Sequence, residues 1–390
     1  MHIEFTAEEQ AFRGEVRDWL MANRPRTQRP YHGAAMRAFD SEWQRTQYEA
    51  GWAGISWPRE FGGRGASLME QLIWHEEYAR AHAPRAGSCF VGLSHAGPTL
   101  IAHGTQEQRA FHLPKILKGE VVWCQGFSEP GAGSDLASLT TCAEIDGDYL
   151  VVNGSKIWTS YALQADYQEL LVRTEPGGRK QNGISWVICD MALPGIEVRP
   201  IATMIAPDDL HFAQVFYNDV RIPLTSVVGE VNQGWSIANS TLGFERGTGF
   251  IPDQIQNSEL IETLIGLALD KGGSDPDSRM IDDGDIGSRL AMLRAEMAAV
   301  RALTYATISR AGRGNPGPEG SLVKLFFSEA SQRARRLGAD ILGAETLELS
   351  ADEGLTFAYL RSFAATIGGG TSDVQRNIIS ERVLGLPRGN

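Results

Sequence analysis

Apolar positions recur at helical spacing at both ends of this chain and at strand spacing in between. Near the start, Phe12, Val16, Trp19 and Leu20 share one helical face. Thr6-Ala7-Glu8-Glu9 precedes them as a capping box, its hydroxyl and carboxylate closing the first turn. A helix is predicted to run to about Asn23, before Pro25. Ser67-Leu68-Met69-Glu70 is a second box, opening a helix that bears Leu72 and Tyr78, and Thr105-Gln106-Glu107-Gln108 reads as a third start. Residues 1–120 are therefore expected to form an N-terminal helical domain.

The pattern changes after Gly119-Glu120. Residues 141–145 and 149–152 flank Asp146-Gly147, a hairpin signal because glycine accepts positive φ. Short β-rich runs follow at 165–173, 184–190, 196–202 and 211–220, split by Pro176-Gly177-Gly178 and Pro194-Gly195. Residues 121–230 are expected to form a middle antiparallel β-domain. Helical period returns after Gly234: Leu290, Leu293, Met297 and Val300 mark one amphipathic helix, and Leu322, Phe326, Ala330, Leu337 and Ile341 mark another. Polar, Gly/Pro-rich connectors cover 271–287 and 312–320, and residues 231–390 are expected to close the chain as a C-terminal helical bundle. The class is α+β, and no internal repeat is visible.

Bulk properties narrow the function. A length of 390 residues implies two or three domains or one large interlocked unit, and 42% hydrophobic with 22% charged residues is a soluble globular balance. A net charge of −12 without any basic run argues against a nucleic-acid surface. No apolar run reaches the ~18 residues of a membrane span. Met1-His2-Ile3-Glu4-Phe5 lacks the basic and apolar regions of a secretory signal, so a cytoplasmic location is expected. Cys89, Cys124, Cys142 and Cys189 are scattered among apolar or small residues and are read as reduced core thiols. His75, His82, His95 and His103 form no ligand spacing, so they are read as structural and no metal is expected. Arg333, Arg335 and Arg336 read as a solvated helix face.

Two stretches offer chemistry. Gln125-Gly126-Phe127-Ser128-Glu129-Pro130-Gly131-Ala132-Gly133-Ser134-Asp135 is rich in backbone donors and short hydroxyls. Lys156-Ile157-Trp158-Thr159-Ser160 adds an indole and further hydroxyls. A dinucleotide fingerprint from Gly131 would need glycine at 136, where the chain has Leu136, and the next residues read as strand. Strand alternation puts Trp158 and Ser160 on one face, where an indole can cover a flavin ring and hydroxyls can reach its polar edge near N5. Taken singly, Trp158 reads as a core aromatic and Gly131-Ala132-Gly133-Ser134 as a plain loop. Their pairing points to a flavin held on a β-domain.

These two stretches resemble the flavin-contact segments of the acyl-CoA dehydrogenase family. Ile367-Gly368-Gly369-Gly370-Thr371-Ser372-Asp373-Val374-Gln375-Arg376-Asn377-Ile378-Ile379 resembles that family's closing signature. The resemblance covers essentially the whole chain, including the helix, β, helix order. It implies an oxidoreductase that makes trans-2-enoyl-CoA from an acyl-CoA thioester, with FAD N5 receiving the β-hydride. It implies electron-transfer flavoprotein as the electron acceptor. It also implies FAD contacts from Gln125, Phe127, Ser128, Gly133, Ser134, Trp158, Thr159, Ser160, Thr371 and Asp373, with Ser134 also touching the CoA arm.

Removing a weakly acidic C–H proton needs a base against the carbon. One family position for that base, two residues before the threonine, is Gly369 here. A second lies on the first helix after the β-domain in a Leu-x-x-Glu-Arg pattern, matched by Leu242-Gly243-Phe244-Glu245-Arg246. Glu245 is therefore read as the base, its pKa raised in an apolar pocket, and Arg246 as a structural or CoA-orienting charge. The alternative for this pair is a solvated helix ion pair. An Arg-x-x-Phe-Gly segment found in many homotetrameric relatives has no counterpart near Asp275 to Asp285, and Leu342-Gly343-Ala344-Glu345 replaces a glycine-rich adenine-side motif. These departures resemble bacterial members that pair two different subunits and act on bulky CoA esters such as steroid side-chain intermediates. A homo- or hetero-oligomer, such as a tetramer, is implied. Two other readings stay open on the same scaffold: a flavin monooxygenase, and a non-catalytic partner subunit.

Overall fold

A computed structural model describes residues 5–205, 210–244, 251–273, 277–311, 319–347 and 354–387. In chain order the first helices are α1 (Ala7–Asn23), α2 (Gly33–Glu49), α3 (Leu68–Arg80), α4 (Gly97–His103) and α5 (Gln106–Leu117). Eight strands follow: β1 (Trp123–Gly126), β2 (Cys142–Asp146), β3 (Tyr149–Ser160), β4 (Tyr167–Arg173), β5 (Ile184–Asp190), β6 (Ile196–Pro200), β7 (Phe212–Pro223) and β8 (Val227–Val228). Helices resume with α6 (Gly234–Phe244), α7 (Ile251–Asp270), α8 (Gly284–Ala311), α9 (Gly320–Leu342), α10 (Leu355–Ala365) and α11 (Ser372–Ile378). The chain divides into two compact units. One comprises Met1–Met21, Ser67–His82 and Arg246–Asn390, and the other comprises Ala22–Ala66 and Ala83–Glu245.

All three predicted caps form. Glu9 N donates to Thr6 Oγ1 at 3.2 Å while Thr6 N donates to Glu9 Oε2 at 2.8 Å. Ser67 with Glu70 and Thr105 with Gln108 repeat that reciprocal pairing at the starts of α3 and α5.

The second unit is built on one sheet in the order β6-β7-β3-β2-β4-β5-β8, with β1 paired to β4. β2 and β3 form the expected hairpin, Asp146 opposite Tyr149, with Gly147 at φ 59°. The sheet is antiparallel except where β1 and the end of β2 run parallel to β4. β4 and β5 are covered on both faces. Leu171, Ile184, Trp186 and Ile188 enter a core with Trp57 and Trp123, while Leu170, Val172, Val187 and Cys189 enter another with Leu150 and Val215. Double coverage explains the unbroken apolar runs within them, Leu170-Leu171-Val172 and Trp186-Val187-Ile188-Cys189. Cys89, Cys124 and Cys189 are buried free thiols, and burial pushes Cys89 and Cys189 up to about 12. Cys142 departs from the core expectation. It is exposed on β2 because its neighbour Ala143 takes the inward position.

The other unit is helical. Leu290, Leu293, Met297 and Val300 of α8 are buried as expected and pack with α7 and α9. On α9, Ala330, Leu337 and Ile341 are buried as expected, but the first two positions of the apolar stripe are shifted by one residue. Phe326 is exposed, and Val323, Phe327, Ala330, Ala334, Leu337 and Ile341 face the core. Steps of four, three, four, three and four fit the helical repeat on one face, whereas a stripe begun at Leu322 and Phe326 drifts away from it. Of the α9 arginines, Arg333 and Arg336 are exposed as expected and only Arg335 turns inward. Arg333 pairs with Glu296, and Arg335 donates to Asn257 Oδ1 at 3.1 Å and Ser331 O at 3.2 Å. Buried Glu76 and Glu77 on α3 gather Arg13 of α1, at 2.9 and 2.6 Å, and Glu76 accepts from Tyr305 of α8 at 2.5 Å. Paired carboxylates inside a helical unit escape the cost of lone buried charge.

Candidate active site

The loop after β1 is anchored from below by charge. Glu129, only 6% exposed, accepts from Thr140 N and Oγ1, both at 2.7 Å, and from Thr141 N at 2.9 Å. It also accepts from Lys156 Nζ at 2.8 Å, and that ammonium donates to Phe127 O at 3.1 Å. Burial opposes the carboxylate, yet Lys156 and the hydroxyl and amide donors hold Glu129 at about 2. Burial pulls Lys156 down to about 8 against the pull of Glu129. Neither residue is singled out by the sequence analysis, although a signal exists. Strand alternation puts Lys156 on the same face as Leu150 and Val152, and a lysine at a core position demands a partner.

Above this anchor the loop is tight. Glu129 and Ala132 exchange backbone hydrogen bonds at 3.0 Å each. A methyl group added at Gly131 or Gly133 would meet nothing within 4 Å. The chain's own packing therefore does not demand glycine at either position, and both leave room for another molecule against the backbone.

β3 brings the second stretch alongside the first. Ile157 N donates to Ser128 O at 2.9 Å, joining segments that are far apart in sequence. The pairing of β3 with β7 gains an extra residue between Lys156 and Thr159, a bulge that puts Trp158 at φ 61°. Trp158 is 57% exposed and meets Phe212 edge-on at 5.9 Å, so it is not the core aromatic of the alternative reading. Positive φ at a bulky residue is costly backbone that clusters at ligand sites. Thr159 is 1% exposed, and its hydroxyl has no hydrogen-bond partner among the described residues.

The remaining predicted contacts fall into two groups. Phe127 is 3% exposed with its ring in the core, so its backbone is what it can offer a ligand. Ser128 and Ser160 are half-buried, and Gly133 and Ser134 are exposed on the loop. Gln125 turns its amide inward, Nε2 donating to Glu169 Oε1 at 2.8 Å and standing 3.2 Å from His95 Nδ1. Sequence reasoning missed Glu169, which the apolar run of β4 conceals. No group of His, Cys, Asp and Glu among the described residues can hold a metal ion.

Glu245 and Arg246 lie outside the described residues. The helix that leads to Glu245 is firmly docked. Thr241 of α6 shares a 2.8 Å hydrogen bond with Thr99 of α4, and Ser240 lies 3.1 Å from His103 Nε2.

In the helical unit, the triple glycine links α10 to α11. Gly369 and Gly370 stand at φ 65° and 90°. Gln375 Nε2 donates to Gly369 O at 2.9 Å, and Lys324 Nζ donates to Gly370 O at 2.6 Å. Thr371 caps α11 by accepting from Val374 N at 3.2 Å, and Asp373 accepts from Arg376 at 3.2 Å.

Comparison with known proteins decides the family. Residues 6–120, 124–220 and 232–384 match the N-terminal, middle and C-terminal domain models of acyl-CoA dehydrogenases. The chain belongs to the acyl-CoA dehydrogenase family. It is 37% identical over 386 residues to acyl-CoA dehydrogenase IpdE1 of Mycobacterium tuberculosis, covering 97% of each chain. It is 33% identical to a chain of the ChsE4-ChsE5 complex from Mycobacterium tuberculosis, with a TM-score of 0.84 over 100% of both chains. The Tcur3481-Tcur3483 steroid ACAD structure gives 31% and 0.85, again over 100% of both chains. This acyl-CoA dehydrogenase is thus an FAD-dependent oxidoreductase that introduces a double bond into acyl-CoA thioesters. Its residues fit the cofactor: an unpartnered buried hydroxyl at Thr159, an open indole at Trp158, and a loop whose glycines leave space.

Proposed function

We propose that this dehydrogenase acts on a bulky CoA ester with Glu245 as the base that takes the α-proton and Arg246 orienting the CoA moiety. Gln125, Phe127, Ser128, Gly133, Ser134, Trp158, Thr159 and Ser160 hold the FAD, together with Thr371 and Asp373, and Ser134 also meets the CoA arm. When bound, FAD supplies the acceptor for the β-hydrogen. The observation behind this reading is the Thr159 hydroxyl, buried without a partner next to an exposed indole on a bulge, since an orphaned hydroxyl at such a place is costly until a ligand meets it. The docking of α6 supports Glu245, because a base must be held against the carbon it deprotonates.

Three sequential domains, 1–120, 121–230 and 231–390, a heteromeric assembly with electron-transfer flavoprotein as acceptor, and a cytoplasmic location complete the proposal. The similarity to a chain of the ChsE4-ChsE5 complex supports the heteromer, and the similarity to the Tcur3481-Tcur3483 steroid ACAD supports the steroid-type substrate. No helix among the described residues is long and apolar enough to cross a membrane.

Replacing Glu245 by Gln tests the base. Turnover is expected to fall by about 10³-fold or more, with FAD retained at wild-type stoichiometry. Residual activity within tenfold of wild type would move the proton elsewhere. Anaerobic bleaching of the flavin by short, branched and steroid-type CoA thioesters tests the substrate, and preference for a short straight chain would contradict the bulky ester.

A further inference from the structure

Behind β1 lies a buried polar cluster that the reaction proposed above does not use. Glu169 of β4 is 0% exposed and His95 is 5% exposed. His95 belongs to a π-helical turn, Gly92–Ala96, running directly into α4, and such turns are wide departures from α geometry that often mark function. Glu169 lies beside Gln125 because β1 and β4 pair in register there. The three side chains meet within hydrogen-bond range. Gln125 Nε2 is 2.8 Å from Glu169 Oε1 and 3.2 Å from His95 Nδ1, and His95 Nδ1 is 3.3 Å from Glu169 Oε1.

The chemistry of this cluster fixes which end of the Gln125 amide faces inward. The Gln125 amide nitrogen lies 2.8 Å from Glu169 Oε1, a carboxyl oxygen that accepts; the reverse orientation would set two oxygens against each other wherever that oxygen bears no proton. His95 supports the choice in the tautomer with Nδ1 bare, which accepts the second amide N–H of Gln125; with Nδ1 protonated it donates to Glu169 Oε1 instead. Gln125 Oε1 makes no hydrogen bond among the described residues, and the side chain is half-buried rather than sealed. The group it leaves open is therefore the carbonyl oxygen, an acceptor.

We infer that Glu169 and His95 are positioning residues that hold the Gln125 amide so that its carbonyl oxygen receives a hydrogen bond from a hydroxyl or ring N–H of the bound FAD. This rests on the reading of Gln125 as an FAD contact and goes beyond it by assigning the polarity of that contact and the residues that impose it. The same side chain with its amide reversed would present a donor, which the flavin's donor group cannot use. Glu169→Gln removes the restriction, because an amide at 169 can donate as well as accept and Gln125 can then turn over.

A double-mutant cycle on the full chain tests this, reading FAD affinity by reconstitution of apo-protein and the shape of the flavin absorbance. Gln125→Leu and Glu169→Gln are each expected to weaken FAD binding about fivefold to tenfold, the scale of one net hydrogen bond. The Q125L/E169Q double variant is expected to lose no more than Q125L alone, because Glu169 acts through Gln125. Multiplying losses would make Glu169 merely structural and overturn the inference. An E169Q protein with unchanged affinity and spectrum, beside an impaired Q125L, would overturn the positioning role alone. Unchanged affinity and spectrum in Q125L would remove Gln125 from the flavin and overturn both the inference and that part of the functional reading. A shift confined to octanoyl-CoA affinity in the FAD-loaded protein would move the acceptor onto the substrate and overturn the assignment to FAD. Should E169Q not fold, His95→Gln runs the same cycle from the other side of the amide.

Discussion

The two glycine-rich segments assigned to the flavin are built in opposite ways. The loop after β1 stands on a buried ion pair, with Glu129 taking Lys156 and three donors from Thr140 and Thr141. The turn before α11 is held through its backbone instead, its glycine carbonyls bound by Gln375 and Lys324. In the loop, glycine leaves open space; in the turn, glycine is required by the backbone itself. The same residue type thus leaves space in one place and meets a backbone demand in the other. The difference lies in what the neighbouring chain already occupies.

The largest way to break this contrast is at the ion pair. Glu129→Ala leaves a buried ammonium without its carboxylate and is expected to cost about 3–5 kcal/mol in chemical denaturation, with loss of bound FAD. A cost under about 1 kcal/mol would show that the pair does not anchor the loop.

Acid sharpens the same point. Folded Glu129 sits at about 2 against an ordinary 4.5, so its folded pKa is depressed. Its stabilisation is fully present above the unfolded value and is lost as pH falls from there toward about 2. Wild-type stability measured across that window should therefore drop more steeply than that of Glu129→Ala. Parallel curves would remove Glu129 from the acid response.

The glycines provide the smallest and most direct comparison. Gly370 stands at φ 90°, and a Cβ there would come within 2.6 Å of Gln375 Nε2, so Gly370→Ala should cost about 1–3 kcal/mol. Gly131→Ala meets open space and should change stability by no more than about 0.5 kcal/mol while weakening FAD affinity. Equal destabilisation by both substitutions would erase the distinction drawn here.

Much of the local architecture was legible because its causes are local. The three caps, the hairpin at Gly147 and the core face of α8 follow from interactions within a few residues, and the structure has them where the pattern puts them. Only the first two positions of the α9 stripe were misread, by one residue, since Leu322 and Phe326 compete with Val323 and Phe327 and only packing against α7 and α8 selects between them. The family was legible in its motif stretches, but not what holds those stretches in place. Lys156 reaches Glu129 across 27 positions, Gln125 reaches Glu169 across 44 and His95 reaches it across 74. Sequence by itself determined the order of helical and strand segments and the family to which the chain belongs. Tertiary structure alone decided which buried charges meet, because a charge taken out of water must find its partner in space, and no periodicity along the chain records where that partner lies.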